Sequence, residues 1–299
     1  MRVPEPDRFE SKLGKKPFLV TMEVNPPKGT DLSEITSAVG RVKGLVDAVN
    51  VTDGSGAIMR ACSLAVANVV LDAGVDSILQ MTCRDRNRLA LQADLLGAAI
   101  LGIRNVLLLT GDDPKTGDHP EAKPVFDINS ATLMQVAKGL NEGKDMAGKA
   151  LSGTPHFCIG AAADPGAKDL DVEMQKFKAK IDGGAQFFQT QAVFDPDGLR
   201  RFMDRARPFG KPVLAGILLV KSAKMARYMN EHVWGIHVPE AIIARFEQAS
   251  DKRAECLAVT AELIRAVRDC ADGIHLYALG WEDLIPDILK EAKLESVKR

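Results

Sequence analysis

Residues 76–111 read DSILQMTCRDRNRLALQADLLGAAILGIRNVLLLTG, two apolar runs joined by an amphipathic stretch. The runs at 76–83 and 105–111 are almost continuously apolar, which is typical of parallel strands covered on both faces. Between them, apolar residues recur at three- and four-residue spacing and the pattern ends in glycine, which predicts a helix. The stretch is therefore a strand–helix–strand unit, and its repetition decides the fold class.

The same unit recurs along nearly the whole chain of 299 residues. Eight strands with intervening helices favour an α/β fold, a single (β/α)8 TIM barrel in which residues 1–299 make one catalytic domain. A doubly wound open sheet is the alternative, because strand count alone does not exclude it. The predicted strands are 18–24, 48–53, 76–83, 105–111, 156–163, 186–194, 212–220 and 273–280. The predicted helices include 89–102, 172–184, 197–207 and 222–230, with an extra helical pair at 239–268 before the last strand.

The composition is that of a globular protein, with 46% hydrophobic and 26% charged residues. A net charge of −1 argues against a general nucleic-acid or membrane-surface binder. No stretch reaches the ~18 apolar residues of a membrane span, and the N-terminus lacks the apolar core of a signal peptide, so we expect a cytoplasmic protein. Five cysteines without metal-ligand spacing predict reduced, buried thiols and no metal site: Cys62, Cys83, Cys158, Cys256 and Cys270.

Polar residues stand at the carboxyl ends of the predicted strands, and in a barrel these ends form the catalytic face. Glu23 interrupts the apolar first strand, where a carboxylate is costly unless it is paired or functional. It is either a general acid or one half of a structural ion pair with a lysine or arginine of a neighbouring strand. Asp112 follows the fourth strand as either a site carboxylate or a turn cap. It opens the longest irregular stretch, 112–130, and loops of that length are usually functional.

Other strand ends carry residues that allow both a functional and a structural interpretation. A buried glutamine such as Gln189 or Gln191 is often only a satisfied hydrogen-bonding group, and Lys180 lies in a helix where solvated lysines are the rule. The dispersed histidines form no nucleophilic triad that the sequence reveals. The remaining candidates are Thr52, Asp53 and Ser55 after strand two, Gln80 in strand three, and Thr110 with Gly111 after strand four.

Seven ordered segments together resemble the methylenetetrahydrofolate reductase family across roughly residues 17–289. They are MEVNPPKGTD, VNVTDG, QMTC, LLLTGDDP, QTQAVFD, GILLV and HLYALG. The resemblance implies an oxidoreductase of one-carbon metabolism and methionine biosynthesis, which interconverts 5,10-methylenetetrahydrofolate and 5-methyltetrahydrofolate by hydride transfer. It implies a flavoprotein carrying FAD, with FMN as the alternative, because no side chain can donate a hydride.

The resemblance also implies roles for individual residues. Glu23 would protonate a folate nitrogen, Asp112 would steady the cationic intermediate beside the flavin, and Gln191 would bind folate or nicotinamide. The implied flavin contacts are Thr52, Asp53, Ser55, Gln80, Thr110, Gly111, Asp127 and Lys180, with Lys180 on a phosphate.

Five positions depart from residues that are common in the family. Asp53 stands in place of an aromatic residue, Gln80 of a histidine, Thr110 of an arginine, Trp281 of a folate-binding arginine, and Ala192 of an aromatic that packs on nicotinamide.

These departures resemble short reductases that work beside a cysteine-rich subunit whose zinc or iron–sulfur centres relay electrons to the flavin. We therefore expect an oligomeric reductase, or a flavin- and folate-binding subunit that is inactive without such a partner. A third interpretation is a lyase barrel with Lys221 as a Schiff-base amine.

Overall fold

Eight parallel strands close on themselves in the computed structural model, which describes residues 3–233 and 235–294. Each strand pairs with the next in the chain, and the last pairs back with the first at Leu19 and Gly273. This closure confirms the predicted TIM barrel and excludes the open sheet. The strands are β1 Leu19–Val24, β2 Ala48–Val51, β3 Ser77–Thr82, β4 Asn105–Leu109, β5 Cys158–Ala163, β6 Phe187–Ala192, β7 Val213–Leu218 and β8 Gly273–Tyr277.

Helices lie between the strands, and the extra pair predicted at 239–268 is confirmed as two helices before β8. β1 and β5 end where predicted, and the other six strands end one to three residues earlier, because the last residues of those runs leave the sheet and begin loops. That residues 1–299 make one catalytic domain stays a prediction. The helices are α1 Phe9–Lys12, α2 Ser33–Val42, α3 Ser63–Asp72, α4 Arg88–Ile100, α5 Ser130–Asn141, α6 Leu170–Asp182, α7 Pro196–Ala206, α8 Ala223–His232, α9 Glu240–Gln248, α10 Lys252–Val267 and α11 Ile285–Glu291.

The barrel interior is apolar at the amino ends of the strands. Phe9 of α1 enters this end, and its ring meets the Phe187 ring edge-on with the centroids 5.0 Å apart. Gly160 makes room for Phe187, since a β-carbon at Gly160 would lie 2.3 Å from that ring. Close packing of this kind closes the amino end of the barrel. The layer comprises Phe9, Leu19, Ala48, Ile78, Leu107, Cys158, Phe187 and Leu214.

Asp76 holds the N-terminal segment against this closed end. Its buried carboxylate accepts hydrogen bonds from Arg8 Nη1 at 3.0 Å, Phe9 N at 2.8 Å and Asn105 Nδ2 at 2.9 Å. Arg8 is itself buried, so the charge of each group compensates the other. Asp76 therefore fixes both the arginine and the residue that enters the barrel.

The thiols and the helices bear on two further expectations from the sequence. All five cysteines are free, and four are buried, whereas Cys62 is exposed and corrects the expectation that every thiol is buried. Burial raises the pKa of Cys83 and of Cys256 to about 11, which keeps these thiols protonated near neutral pH.

Among the described residues, the helices are too short or too polar to cross a membrane.

Candidate active site at the carboxyl end of the barrel

Glu23 lies near the carboxyl end of β1 with its side chain inside the barrel, where the residue is 8% exposed. Gln80 Nε2 donates to Glu23 Oε2 at 3.5 Å, and His275 Nε2 lies 3.6 Å from the same oxygen. In the described part of the chain neither a lysine nor an arginine pairs with this carboxyl, so the ion pair considered from the sequence is not present there. The carboxyl is held by neutral or titratable donors, which suits a group that must gain and lose a proton.

A buried polar layer supports the site from below. Asn50 Nδ2 donates to Gln189 Oε1 at 2.7 Å, and Gln189 Nε2 donates back to Asn50 Oδ1 at 3.1 Å. Thr21 Oγ1 lies 2.9 Å from His275 Nδ1, and Gln189 Nε2 lies 3.2 Å from that nitrogen. His275 was not predicted as a site residue, because the five histidines are dispersed along the sequence. The signal that could have found it is the period-two alternation of β8, which places 273, 275 and 277 on one face.

The end of β2 contributes one buried hydroxyl and one carboxylate that is already engaged. Thr52 is 1% exposed, and its hydroxyl donates to Asn25 Oδ1 at 2.8 Å. Asp53 accepts from the backbone N–H of Thr82 at 2.8 Å and from its hydroxyl at 3.0 Å, and it also pairs with Arg86. Asp53 therefore joins the ends of β2 and β3, while Ser55 lies exposed in the turn that follows.

Two arginines directly after β3 were not predicted as site residues. Arg84 is 5% exposed; it donates to the Gly54 carbonyl at 2.9 Å and pairs with Asp85 at 2.7 Å. Arg86 pairs with Asp53 and, at 3.1 Å, with Asp94. The alternating charges of CRDR after a strand end were the available signal. These contacts lock the loops after β2 and β3 together.

The loop after β4 crosses the loop after β2. Asp112 is exposed, and its Oδ2 accepts from the Gly56 backbone N–H at 2.9 Å. The turn is instead capped by Asp113, which accepts from the Lys115 backbone N–H at 2.9 Å, so Asp112 fixes the neighbouring loop, and its role as a site carboxylate stays a prediction. Gly111 precedes it with a φ of +96°, and a β-carbon there would lie 3.0 Å from Thr82 Cβ. This close approach requires glycine at position 111.

A cavity of about 480 Å³ lies beside the same loop. Thr110 hydrogen-bonds Ser130 Oγ at 3.1 Å along its edge. Asp127 makes two bonds to the Arg88 guanidinium, at 2.8 and 2.9 Å, and these bonds lower the pKa of Asp127 to about 2. The volume is within the range of small-ligand pockets. The cavity is lined by Arg88, Thr110, Phe126, Asp127, Ile128, Asn129, Thr132 and Met146.

Lys180 and Gln191 lie near the ends of β5 and β6. Lys180 Nζ donates to the Ala162 carbonyl at 2.7 Å, and burial lowers the pKa of this lysine. Burial raises the pKa of Asp164, a neighbour that the sequence analysis did not single out. The Gln191 side-chain amide makes no hydrogen bond to any described residue, which leaves it free for a ligand. A β-carbon at Gly235 would lie 3.5 Å from Gln191 Cγ, so Gly235 lies next to the Gln191 side chain.

The Lys221 ammonium donates to the Leu279 carbonyl and lies 5.2 Å from the centroid of the Trp281 ring. The Arg253 guanidinium also contacts this ring, at 5.0 Å. A Schiff-base amine must be free to attack a carbonyl carbon. The Lys221 ammonium is held by a carbonyl oxygen and an aromatic ring. These contacts favour a structural role for Lys221 over that of a Schiff-base amine.

Residues 8–293 match the sequence profile described as methylenetetrahydrofolate reductase. The chain belongs to the methylenetetrahydrofolate reductase family. The resemblance based on ordered strand-end segments is therefore confirmed at the level of the family.

Relatives of the methylenetetrahydrofolate reductase family differ in length from this chain. Methylenetetrahydrofolate reductase 1 of Schizosaccharomyces pombe is 26% identical over 298 residues, covering 94% of this chain and 47% of the yeast protein. The 5,10-methylenetetrahydrofolate reductase of Pectobacterium carotovorum is 25% identical over 279 residues, covering 89% of this chain and 87% of that protein. The chain thus spans about half of the yeast relative and most of the bacterial one.

A solved structure shares the fold at low identity. It is an uncharacterized protein from Clostridium thermocellum described as binding two copies of 5-methyl-5,6,7,8-tetrahydrofolic acid. The TM-score is 0.63 and the identity 13%, with 95% of this chain and 97% of that chain covered. At this identity, the similarity concerns the barrel alone.

Proposed function

We propose that this chain is a methylenetetrahydrofolate reductase that uses bound FAD to reduce 5,10-methylenetetrahydrofolate to 5-methyltetrahydrofolate. The observation that carries the proposal is the Glu23 carboxyl, buried at the mouth with Gln80 and His275 on one of its oxygens. Family membership supports hydride-transfer chemistry on a folate. The Clostridium thermocellum protein, described as binding 5-methyl-5,6,7,8-tetrahydrofolic acid, supports folate binding by a barrel of this fold.

The residues at the mouth fit a flavin nucleotide. Thr52 and Gln80 would face the flavin ring, and Lys180 would supply the cation for a phosphate. The cavity of about 480 Å³ at Thr110 and Asp127 would take the adenosine part, which favours FAD over FMN. When bound, the flavin supplies the hydride that no side chain can provide.

The side chains would handle the proton and the charge. Glu23 gives its proton to a folate nitrogen as the bond between that nitrogen and the methylene carbon breaks, and the carbon then accepts the hydride. Asp112 contributes negative charge that steadies the cationic one-carbon unit. The free amide of Gln191 hydrogen-bonds the folate. Asp53 already accepts three hydrogen bonds and forms an ion pair with Arg86, so we propose that it holds the loops in place and does not contact the flavin. Ser55 and Gly111 would lie next to the flavin through their backbone atoms.

The test uses the purified chain of 299 residues and follows its flavin. The flavin is released by heat and identified, and the intact protein is then reduced anaerobically with dithionite and mixed with 5,10-methylenetetrahydrofolate. We expect FAD, rapid reoxidation and one equivalent of 5-methyltetrahydrofolate by mass spectrometry. A protein that binds no flavin, or a reduced flavin that the folate leaves unchanged, contradicts the proposal.

The second candidate is a subunit that accepts electrons only from a partner. Ala192 and Trp281, at positions where the family commonly has nicotinamide-packing and folate-binding residues, favour this candidate. Anaerobic NADH distinguishes the two. Prompt bleaching of the flavin supports an autonomous reductase, whereas bleaching only by dithionite, or by an added cysteine-rich zinc or iron–sulfur partner, supports the subunit of a hetero-oligomer.

Replacing Lys180 by glutamine should weaken FAD binding by about tenfold to a hundredfold. The change removes a half-buried cation, and a hydrogen bond to a charged group contributes about 1.5–3 kcal/mol, where each 1.4 kcal/mol is about tenfold. Titration of the apoprotein with FAD by fluorescence quenching measures the effect. The control is Lys178→Gln on the same helix, where the lysine pairs with exposed Asp182. Equal affinities of the two variants would remove Lys180 from the phosphate site.

A further inference from the structure

His275 occupies the barrel interior directly beneath the proposed proton donor, and its side chain is only 1% exposed. We propose that His275 is a positioning residue whose Nε2–H orients Glu23 and stabilises the carboxylate that remains after proton donation. This inference rests on the proposed reductase function. It assigns His275 the Nε2–H tautomer and a role in orienting the proton donor.

The tautomer follows from the polar layer. The reciprocal bonds between Asn50 and Gln189 orient the Gln189 amide so that its nitrogen, Nε2, faces His275 Nδ1 at 3.2 Å. An amide nitrogen donates and does not accept. The two hydrogens of Gln189 Nε2 have further acceptors in Asn50 Oδ1 and Thr21 Oγ1, each at 3.1 Å. We therefore assign the donor to Nδ1 to the Thr21 hydroxyl, which lies 2.9 Å from Nδ1 and 3.3 Å from its other acceptor, the Ile274 carbonyl. In the neutral ring the proton then lies on Nε2, the nitrogen that faces Glu23.

Two donors therefore converge on one oxygen of Glu23. His275 Nε2 lies 3.6 Å and Gln80 Nε2 3.5 Å from Oε2. No described residue donates a hydrogen bond to the other oxygen, Oε1. The carboxyl is thus oriented through Oε2, and Oε1 remains to carry the proton toward a ligand. Contacts of this length commonly shorten when a substrate closes the site.

The titratable groups facing Glu23 within the described residues both belong to β8, namely His275 and Tyr277. The Tyr277 hydroxyl donates to the Thr190 carbonyl at 2.7 Å. Burial, and then the charge of Glu23, raise the pKa of Tyr277, so it stays neutral. The groups that face the pair from the other strands are uncharged: Thr21, Asn50, Gln80 and Gln189.

The chemical consequence concerns the moment at which the proton leaves. Glu23 starts the step as a neutral acid and ends it as a carboxylate, while the folate nitrogen gains the proton. A donor already aimed at Oε2 stabilises the carboxylate more than the neutral acid, and so lowers the barrier. Reduction of the flavin involves no proton from Glu23 and should not depend on His275.

The experiment compares wild type, His275→Leu and His275→Gln in single-turnover reoxidation of dithionite-reduced flavin by 5,10-methylenetetrahydrofolate. Leucine removes both ring nitrogens, whereas glutamine retains an N–H at similar reach. At the acid plateau of the pH profile we expect His275→Leu to be about tenfold to a hundredfold slower, below the ~10²–10³ of a donor in full contact. We expect His275→Gln to recover most of the rate, and folate affinity and flavin content to stay within about threefold of wild type.

The pH profile separates positioning from mere structural support. Loss of a donor to the carboxylate should move the falling alkaline limb of His275→Leu to higher pH, whereas a packing defect leaves the limb in place. Wild-type rates for His275→Leu, or equal losses for the leucine and glutamine variants, overturn the inference alone. A wild-type flavin that the folate fails to reoxidise overturns the proposed function, and the inference with it.

Nitrogen NMR of wild type labelled with ¹⁵N-histidine tests the tautomer without any variant. The buried histidine should show the Nε2–H form, and its signals should shift in Glu23→Gln. An Nδ1–H form would overturn the inference, even if the leucine variant fails to fold.

Discussion

Replacing Glu23 by glutamine should slow the reoxidation of reduced flavin by 5,10-methylenetetrahydrofolate by about 10²–10⁴-fold, the usual contribution of a general acid. Glutamine nearly preserves the shape of the side chain and can still contact Gln80 and His275, but it has no acidic proton to donate. Flavin content and folate affinity should therefore stay close to wild type. Stopped-flow absorbance at the flavin band measures the rate, and equilibrium binding of 5-methyltetrahydrofolate measures the affinity.

The matched control is Glu34→Gln, which makes the same chemical change at an exposed position on α2. It should leave the rate unaltered. Near-normal reoxidation by Glu23→Gln would remove Glu23 from the mechanism. A loss of folate affinity equal to the loss of rate would assign Glu23 to binding instead of proton transfer.

Replacing Asp76 by alanine should lower the free energy of unfolding by about 3–5 kcal/mol, as expected when one partner of a buried ion pair is removed. The change leaves the Arg8 guanidinium, the Phe9 N–H and the Asn105 amide without their shared acceptor. It also releases the segment that carries Phe9 into the barrel. Urea unfolding followed by circular dichroism measures the loss.

Asp182→Ala provides the comparison for this variant. Asp182 forms an exposed i,i+4 pair with Lys178, and such pairs contribute about 0.3–0.5 kcal/mol. If Asp76→Ala were no more destabilising than Asp182→Ala, Asp76 would not anchor the N-terminal segment. A lower denaturant slope with an unchanged midpoint would instead indicate local release of that segment.

The strands and the barrel class could be predicted from the sequence because parallel strands buried on both faces leave long apolar runs. Glu23 could also be found, since a carboxylate inside such a run stands out against its neighbours. The extra pair before β8 was equally visible as two amphipathic patterns within 239–268. These features depend on local periodicity, which a single sequence contains.

The partners of the site residues could not be predicted, because they come from distant strands. Asp53 and Arg86 are 33 residues apart, and Glu23 and His275 lie on the two strands that close the barrel. Sequence order gives no distance across such a closure. The exposed carboxylates Asp112 and Asp127 illustrate the same limit, since each is paired with a loop or helix start that only the folded chain brings near.

The Phe9 ring packs against Phe187 and fills the amino end of the barrel, on the far side from the carboxyl ends of the strands. On the proposed function, folate bound at the carboxyl end of the barrel should limit the access of water to Glu23, which is already buried. The proposal then requires Glu23 to be protonated before the folate binds. Glu23 can be reprotonated only after the product has dissociated.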